Sequence, residues 1–145
     1  MKVNEVAIIL ENKPGELARP CRALAESGVN ILSLSLADTQ KFGAMRLLTD
    51  DPVKARQALA GTGCVVKETE VVVVAVDDRP GGLAEALEAV EAQGVNVDCM
   101  YALTARKSGQ AAMVFRFADA DQAISALQAN GIRLLGPEDI AGPVA

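Results

Sequence analysis

An internal repeat constrains this chain more than any other feature of its sequence. Glu11-Asn12-Lys13-Pro14-Gly15-Glu16-Leu17-Ala18 returns as Asp77-Asp78-Arg79-Pro80-Gly81-Gly82-Leu83-Ala84, an offset of 66 residues. The same offset carries Gly28-Val29-Asn30 onto Gly94-Val95-Asn96, and Leu17, Cys21 and Leu24 onto Leu83, Leu87 and Val90. Beyond position 44 the offset becomes 68, with Met45 on Met113, Asp51 on Asp119 and Gly63 on Gly131. Two residues are therefore gained between Ala105 and Gln110, where a surface hairpin tolerates them. A fixed period of this size marks a repeated structural unit. The 145 residues thus divide as two domains, 1–69 and 70–145. Each is near the lower end of what folds alone, so an interface between them is expected.

Each half reads strand, helix, strand, strand, helix, strand. In the first, Glu5–Leu10 is an apolar run suited to a sheet interior. Pro14-Gly15 breaks the chain, and Leu17, Cys21 and Leu24 then recur at helical spacing. Gly28 stands where a helix C-terminal glycine belongs. Ile31, Leu34 and Leu36 begin a second strand of imperfect alternation, and Ala44–Leu48 is the third. Asp51-Pro52 supplies an N-cap and a proline at the first helical position, and Cys64–Val66 closes the unit. In the second half the strands are Val71–Val76, Val97–Leu103, Ala111–Phe117 and Ile132–Leu135, and the helices Gly82–Gln93 and Asp121–Asn130. This order predicts an α+β chain of two ferredoxin-like units, each a four-stranded antiparallel sheet with two helices on one face. Pro20 lacks the N–H that would bond to Glu16, so the first helix is expected to be irregular or kinked near its start. The join, Lys67-Glu68-Thr69-Glu70, holds no Pro, Gly or Ser and is not a flexible linker.

Composition removes several classes of function. The chain has no His, so a Ser–His–Asp or Cys–His site cannot be built, and the commonest metal ligand is missing. The net charge of −5 and the 3% of aromatic residues disfavour nucleic acid, whose phosphates call for clustered Lys and Arg. Cys21, Cys64 and Cys99 are odd in number and far apart, and are expected to be buried, reduced thiols rather than a disulfide framework or a metal set. The N-terminus shows no signal-peptide pattern, and the longest strongly apolar run, Val71–Val76, is far short of the ~20 residues that span a bilayer. A soluble cytoplasmic protein without metal or cofactor is the expectation.

The repeated turn is the candidate site. Asn12, Lys13, Pro14, Gly15, Glu16 and Leu17 follow a strand and open a helix, with Asn30 fifteen residues after the glycine; Asp78, Gly81, Gly82, Leu83 and Asn96 repeat the arrangement. The glycine lets backbone approach a ligand closely, and the helix start offers N–H groups and a positive dipole end to a carboxylate. Asn12 or Asp78, just before the turn, and Asn30 or Asn96, at the start of a strand, add polar side chains. Together these parts suit a free amino acid. Taken singly, Pro-Gly after a strand is also an ordinary turn, and Gly-Val-Asn an ordinary helix exit.

The run Glu11-Asn12-Lys13-Pro14-Gly15-Glu16-Leu17 with Gly28-Val29-Asn30-Ile31 resembles the ACT domain family of regulatory modules. Over nearly its whole length, the chain is similar to free-standing tandem ACT proteins of bacteria that carry no catalytic domain. The resemblance implies two domains side by side in an eight-stranded sheet with helices on one face, and a homodimer. It implies allosteric regulation of a partner enzyme of amino-acid metabolism by a free amino acid. The ligand would sit between domains, one site using Asn12, Pro14, Gly15 and Leu17 with Asn96 opposite, the other Asp78, Gly81 and Leu83 with Asn30 opposite. Asp78 in place of Asn would repel a ligand carboxylate, which makes the second site the weaker.

Two other classes compete. RNA-recognition modules share the βαββαβ order and stack bases on strand aromatics; Phe115, Phe117 and Lys41-Phe42-Gly43 echo that pattern, against the charge of the chain. A regulatory subunit that has lost its ligand and acts only through protein contacts would show the same repeat. An enzyme is not indicated: of Arg19, Arg79 and Arg106, which could serve a phosphate loop as in the acylphosphatases, only Arg79 sits in a glycine-rich nest, beside Pro80-Gly81-Gly82, and Asp77-Asp78 reads as a solvated loop pair.

Overall fold

Glycine and aspartate punctuation sets the elements. The structure, a computed structural model, describes residues 1–107 and 109–141, with the backbone alone at 105–107. The order is β1 (Val3–Glu11), α1 (Ala18–Glu26), β2 (Ile31–Thr39), β3 (Phe42–Thr49), α2 (Pro52–Ala60), β4 (Val65–Asp77), α3 (Gly82–Glu91), β5 (Val97–Lys107), β6 (Gln110–Phe117), α4 (Ala120–Ala129), β7 (Leu134–Leu135) and α5 (Pro137–Ile140). Asp51 caps α2 by accepting from the Lys54 N–H at 3.0 Å, and Asp119 caps α4 through Gln122 N–H at 3.1 Å. At the other end of α1, Gly28 turns left-handed at φ 73°. Its N–H bonds Ala25 O, and the Val29 N–H reaches back to Leu24 O at 2.9 Å, so the last carbonyls are satisfied. Gly94 repeats this after α3.

Two units result, one of Asn4–Thr69 and one of Met1–Val3 with Glu70–Ala145. In the N-terminal unit the strands run β2-β3-β1-β4, and in the C-terminal unit β5-β6-β4-β7. The registers are antiparallel, Ile8 facing Met45, Leu36 facing Met45 and Val74 facing Met113. The inner face of β1 (Val6, Ile8, Leu10) packs with Leu24 of α1 and Ala55 and Leu59 of α2. Val72, Val74 and Val76 pack likewise with Ala86 and Val90 of α3 and Ala123 and Leu127 of α4. Both units are therefore ferredoxin-like, with helices covering one face of an antiparallel sheet.

Four details depart from the sequence-based expectation. Cys64–Val66 and Val71–Val76 are not separate strands. β4 runs through Lys67-Glu68-Thr69-Glu70 without a turn, so the described residues hold seven strands, not eight. The two extra residues of the second half do not enlarge the hairpin turn. Lys107 pairs with Gln110, as Thr39 does with Phe42, whereas β5 shifts register between Ala102 and Arg106. The insertion is thus a bulge in β5; Ser108, within the stretch where the sequence places it, lies outside the described residues. Pro20 produces no kink: α1 begins at Ala18, so Pro20 falls in the first turn, where its N–H would have had no helical partner. The helix does start late, since α3 begins at Gly82, the counterpart of Glu16. Finally, α5 is an element that the sequence does not announce. Pro137 opens it and the Asp139 carboxylate accepts from the Gly136 N–H at 2.8 Å.

The imperfect alternation of the second strand has a structural cause. β2 shifts register between Ile31 and Ser33, and β5 repeats the shift between Val97 and Cys99. A bulge at Leu32 changes which face the following residues occupy, so Ile31 and Leu34 can share a side despite their odd spacing.

Candidate functional site

The β1–α1 loop is held the same way in both units. The Asn12 N–H bonds Lys41 O at the tip of the β2–β3 hairpin, and the Asp78 N–H bonds Gly109 O at the corresponding tip, each at 2.9 Å. Gly15 and Gly81 both adopt φ 90°, a conformation that L side chains enter only with strain. The Arg19 N–H bonds Gly15 O at 3.3 Å, and the Glu85 N–H bonds Gly81 O at 3.0 Å. Two sequences that differ at half their loop positions therefore hold one backbone path. Neither α1 nor α3 has a side-chain cap, whereas α2 and α4 are capped by aspartates. The helix starts beside the loops thus lack the N-cap carboxylate that the other two helices have.

The side chains on that path differ. In the N-terminal unit the Asn12 amide donates to Gln40 O at 3.3 Å. Lys13 pairs with Glu11 at 2.8 Å, which holds the Glu11 carboxyl below, and the Lys13 ammonium above, their ordinary values. Arg19 reaches Glu16 at 3.3 Å and Thr62 O at 2.5 Å. Its Nη2 also lies 3.9 Å from the Cys64 Sγ. Pro14 and Gly15 are exposed, and so is Leu17. In the C-terminal unit Arg79 makes two bonds to Glu85, of 2.9 and 2.8 Å, and lies 3.4 Å from Asp77. Glu85 and, secondarily, Asp77 raise the Arg79 pKa above its ordinary value. Gly82 is buried, and a Cβ there would overlap the Asp77 carbonyl oxygen. Leu83 packs against the core of this unit.

Within each unit the strand-start asparagine stands apart from the loop. α1 has nine residues, about 13 Å of helix, and Asn30 follows its far end. There the Asn30 N–H bonds the Asp50 carboxylate at 2.9 Å and its carbonyl accepts from the Asp50 N–H at 3.1 Å. Asn96 takes the same place in the second unit, its amide donating to Asp98 at 3.1 Å and its carbonyl accepting from Ala118.

A pocket of about 390 Å³ opens beside the N-terminal loop. Of the residues named from sequence, it gathers Lys13 and Glu16; sequence reasoning missed Glu11 and Arg19, which complete two opposite charge pairs, and Cys64. It also missed an apolar side of Ile9, Phe42 and Val65, exposed at 57%, 50% and 68%. Strand alternation was the available signal. Ile9 lies out of phase with the core residues Ile8 and Leu10, and Glu11 faces Phe42 across the β1–β3 ladder.

The remaining candidates resolve as follows. Phe115 and Phe117 are buried at 2% and 7% and stack on each other, with centroids 5.2 Å apart. They belong to the core and offer no platform to bases. The three cysteines are free thiols and each is partly exposed, not buried as expected. Among the described residues no helix is long and apolar enough to cross a membrane.

The comparisons agree with this architecture. A family model for the ACT domain pair matches residues 1–142. The crystal structure of protein BT0572 from Bacteroides thetaiotaomicron is 31% identical, with a TM-score of 0.91, over 99% of this chain and 98% of that one. The ligand-free regulatory subunit of aspartate kinase from Thermus thermophilus superposes with a TM-score of 0.64 at 20% identity, covering 88% of this chain and 90% of that one. The corresponding subunit from Thermus flavus gives 0.59 at 21%, covering 87% and 88%; at these identities the likeness is one of fold. A search of curated proteins gives no match. The matched model describes a regulatory module and indicates no catalytic family. With its repeated loop, its paired ferredoxin-like units and this match over nearly its full length, the chain belongs to the ACT domain pair family.

Proposed function

We propose that the protein is a non-catalytic sensor that binds a free amino acid and thereby regulates a partner enzyme of amino-acid metabolism in the cytoplasm. The observation that carries this reading is the N-terminal β1–α1 loop. Its backbone is set by left-handed Gly15, it leads into a helix without a side-chain cap, and it borders a pocket lined by both charge signs. A carboxylate and an ammonium on one small molecule match that lining. On this reading the domains are residues 1–69 and 70–145, the ligand binds beside the loop of Asn12, Pro14, Gly15 and Leu17, and the protein acts as a homodimer. Two proteins that share the fold are named as regulatory subunits of an aspartate kinase, a role of the kind proposed here. Binding shifts the balance between domain arrangements only as far as the ligand's affinities for them differ.

Thermal melting with each of the twenty amino acids tests the reading. A ligand present at about 100 times its Kd stabilises by about 2.7 kcal/mol, which raises the melting temperature by several degrees for a chain of this size. If none shifts the melt at millimolar concentration, the protein is not a sensor of free amino acids. With the best ligand found, pull-down of partners in its presence and absence identifies the regulated enzyme.

A further inference from the structure

We infer that the pocket of the N-terminal unit selects an amino acid with an apolar side chain, seating its carboxylate on Arg19, its ammonium on Glu11 and Glu16, and its side chain on Ile9, Phe42 and Val65. The inference rests on the amino-acid reading above and narrows it. The charges are already paired within the loop, Lys13 with Glu11 and Arg19 with Glu16. These are solvent-accessible pairs, which contribute little to stability. A zwitterion entering between them exchanges such pairs for two of its own at small cost. What distinguishes one zwitterion from another is then the apolar side of the pocket. Ile9 and Phe42 project from the sheet face that α1 and α2 leave uncovered, and Val65 begins the neighbouring strand. Each of the three is at least half exposed, so an aliphatic or aromatic ligand group removes apolar surface from water on both partners. The cavity, about 390 Å³, lies in the range of small-molecule sites.

The second copy supplies an internal contrast. At the offsets of the repeat, Ile9 and Val65 become Ala75 and Arg133, and Gln110, which pairs with Lys107 as Phe42 does with Thr39, takes the place of Phe42. Gln110 donates to the Asp77 carboxylate at 3.2 Å, Ala75 is buried, and the charges of that loop close on each other through Arg79 and Glu85. The fold is the same, but the apolar trio belongs to the first copy. Specificity for apolar ligands therefore resides in the first copy, with one such ligand per chain.

Isothermal titration of the whole chain tests this. Leucine, isoleucine, valine, methionine and phenylalanine are compared with alanine, aspartate and lysine, using wild type, Phe42→Gln, Val65→Arg and Arg19→Gln. Phe42→Gln and Val65→Arg introduce the second copy's residues at exposed positions, and circular dichroism checks that each variant folds. One of the apolar amino acids is expected to bind once per chain and at least ~10-fold tighter than alanine, the scale of a single methylene in an apolar pocket. Phe42→Gln or Val65→Arg should erase that ratio, and Arg19→Gln should weaken every amino acid alike. Tighter binding of aspartate or lysine, or an unchanged leucine-to-alanine ratio in Phe42→Gln, overturns the inference while leaving amino-acid sensing intact. Absence of binding by any amino acid removes both. A variant that changes the oligomeric state but not affinity shows the apolar trio to be a contact between copies instead, and overturns the inference as well.

Discussion

At the scale of single residues, the two copies spend glycine differently. Gly15 and Gly81 share φ 90°, and a Cβ on Gly15 would meet nothing within 4 Å. Substitution there meets only backbone strain, so Gly15→Ala is expected to cost about 1 kcal/mol. A Cβ on Gly82 would overlap the Asp77 carbonyl, a backbone atom that cannot rotate away. Gly82→Ala should therefore cost about 3 kcal/mol through overpacking. Urea denaturation of the two variants measures the difference; equal midpoints would show that strand and helix move apart around the added methyl group at no cost. The loop motif was legible in the sequence because a repeated Pro-Gly identifies a repeated turn. That Gly82 is forced by a carbonyl, while its counterpart Glu16 is free to reach Arg19, was not, because that depends on how closely strand and helix approach.

Among the elements, the pairing of β1 with β3 contains a charge where none is expected from the pattern. Glu5 is 1% exposed, with Arg46 at 3.4 Å and the Thr69 hydroxyl at 3.5 Å. Removing one partner from a buried ion pair typically costs about 3–5 kcal/mol. Arg46→Met is therefore expected to destabilise by about 3 kcal/mol, the lower end, because Arg46 is itself partly accessible. Adding Glu5→Leu should restore much of that loss, since replacing both members of such a pair with apolar groups is often neutral. Thermal or chemical denaturation of the single and double variants checks the cycle; if the double variant is as unstable as the sum of the singles, the pair is not coupled. In sequence, Glu5 marks only a strand start, because alternation reveals which face a residue occupies but not whether that face is covered. Helix boundaries were more legible. Asp51-Pro52 and Gly28 carry their geometry locally, and the structure differs from the reading by a residue or two.

For the molecule as a whole, burial is uneven along the strands. Val71 to Val76 are all buried, whereas β2, last in its path, leaves Leu34 and Leu36 each 49% exposed. Amides of β4 from Val71 to Val76 should exchange with solvent only on global unfolding, and those at the outer end of β2 several orders of magnitude faster. Hydrogen exchange followed by NMR or mass spectrometry reads this directly; comparable protection of β2 would show that its edge is covered in solution by another chain. Ligand binding acts on the same scale, because stabilisation by an amino acid appears as a rise in the melting temperature of the whole chain.

The sequence by itself determined the duplication, the βαββαβ order of each copy and the loop on which binding is proposed. All of these rest on local signals: a repeated motif, apolar periodicity, and glycine, proline and aspartate at turns and caps. Tertiary structure decided the rest. It merged two expected strands into β4, placed the two-residue insertion in a bulge of β5, and seated Pro20 in the first turn of α1. It also drew Ile9, Phe42, Val65 and Arg19 around one pocket from four separate elements and turns. The physical reason is that backbone conformation is governed mainly by neighbours in sequence, whereas register, close approach and the lining of a cavity arise from residues far apart in the chain whose positions only packing brings together.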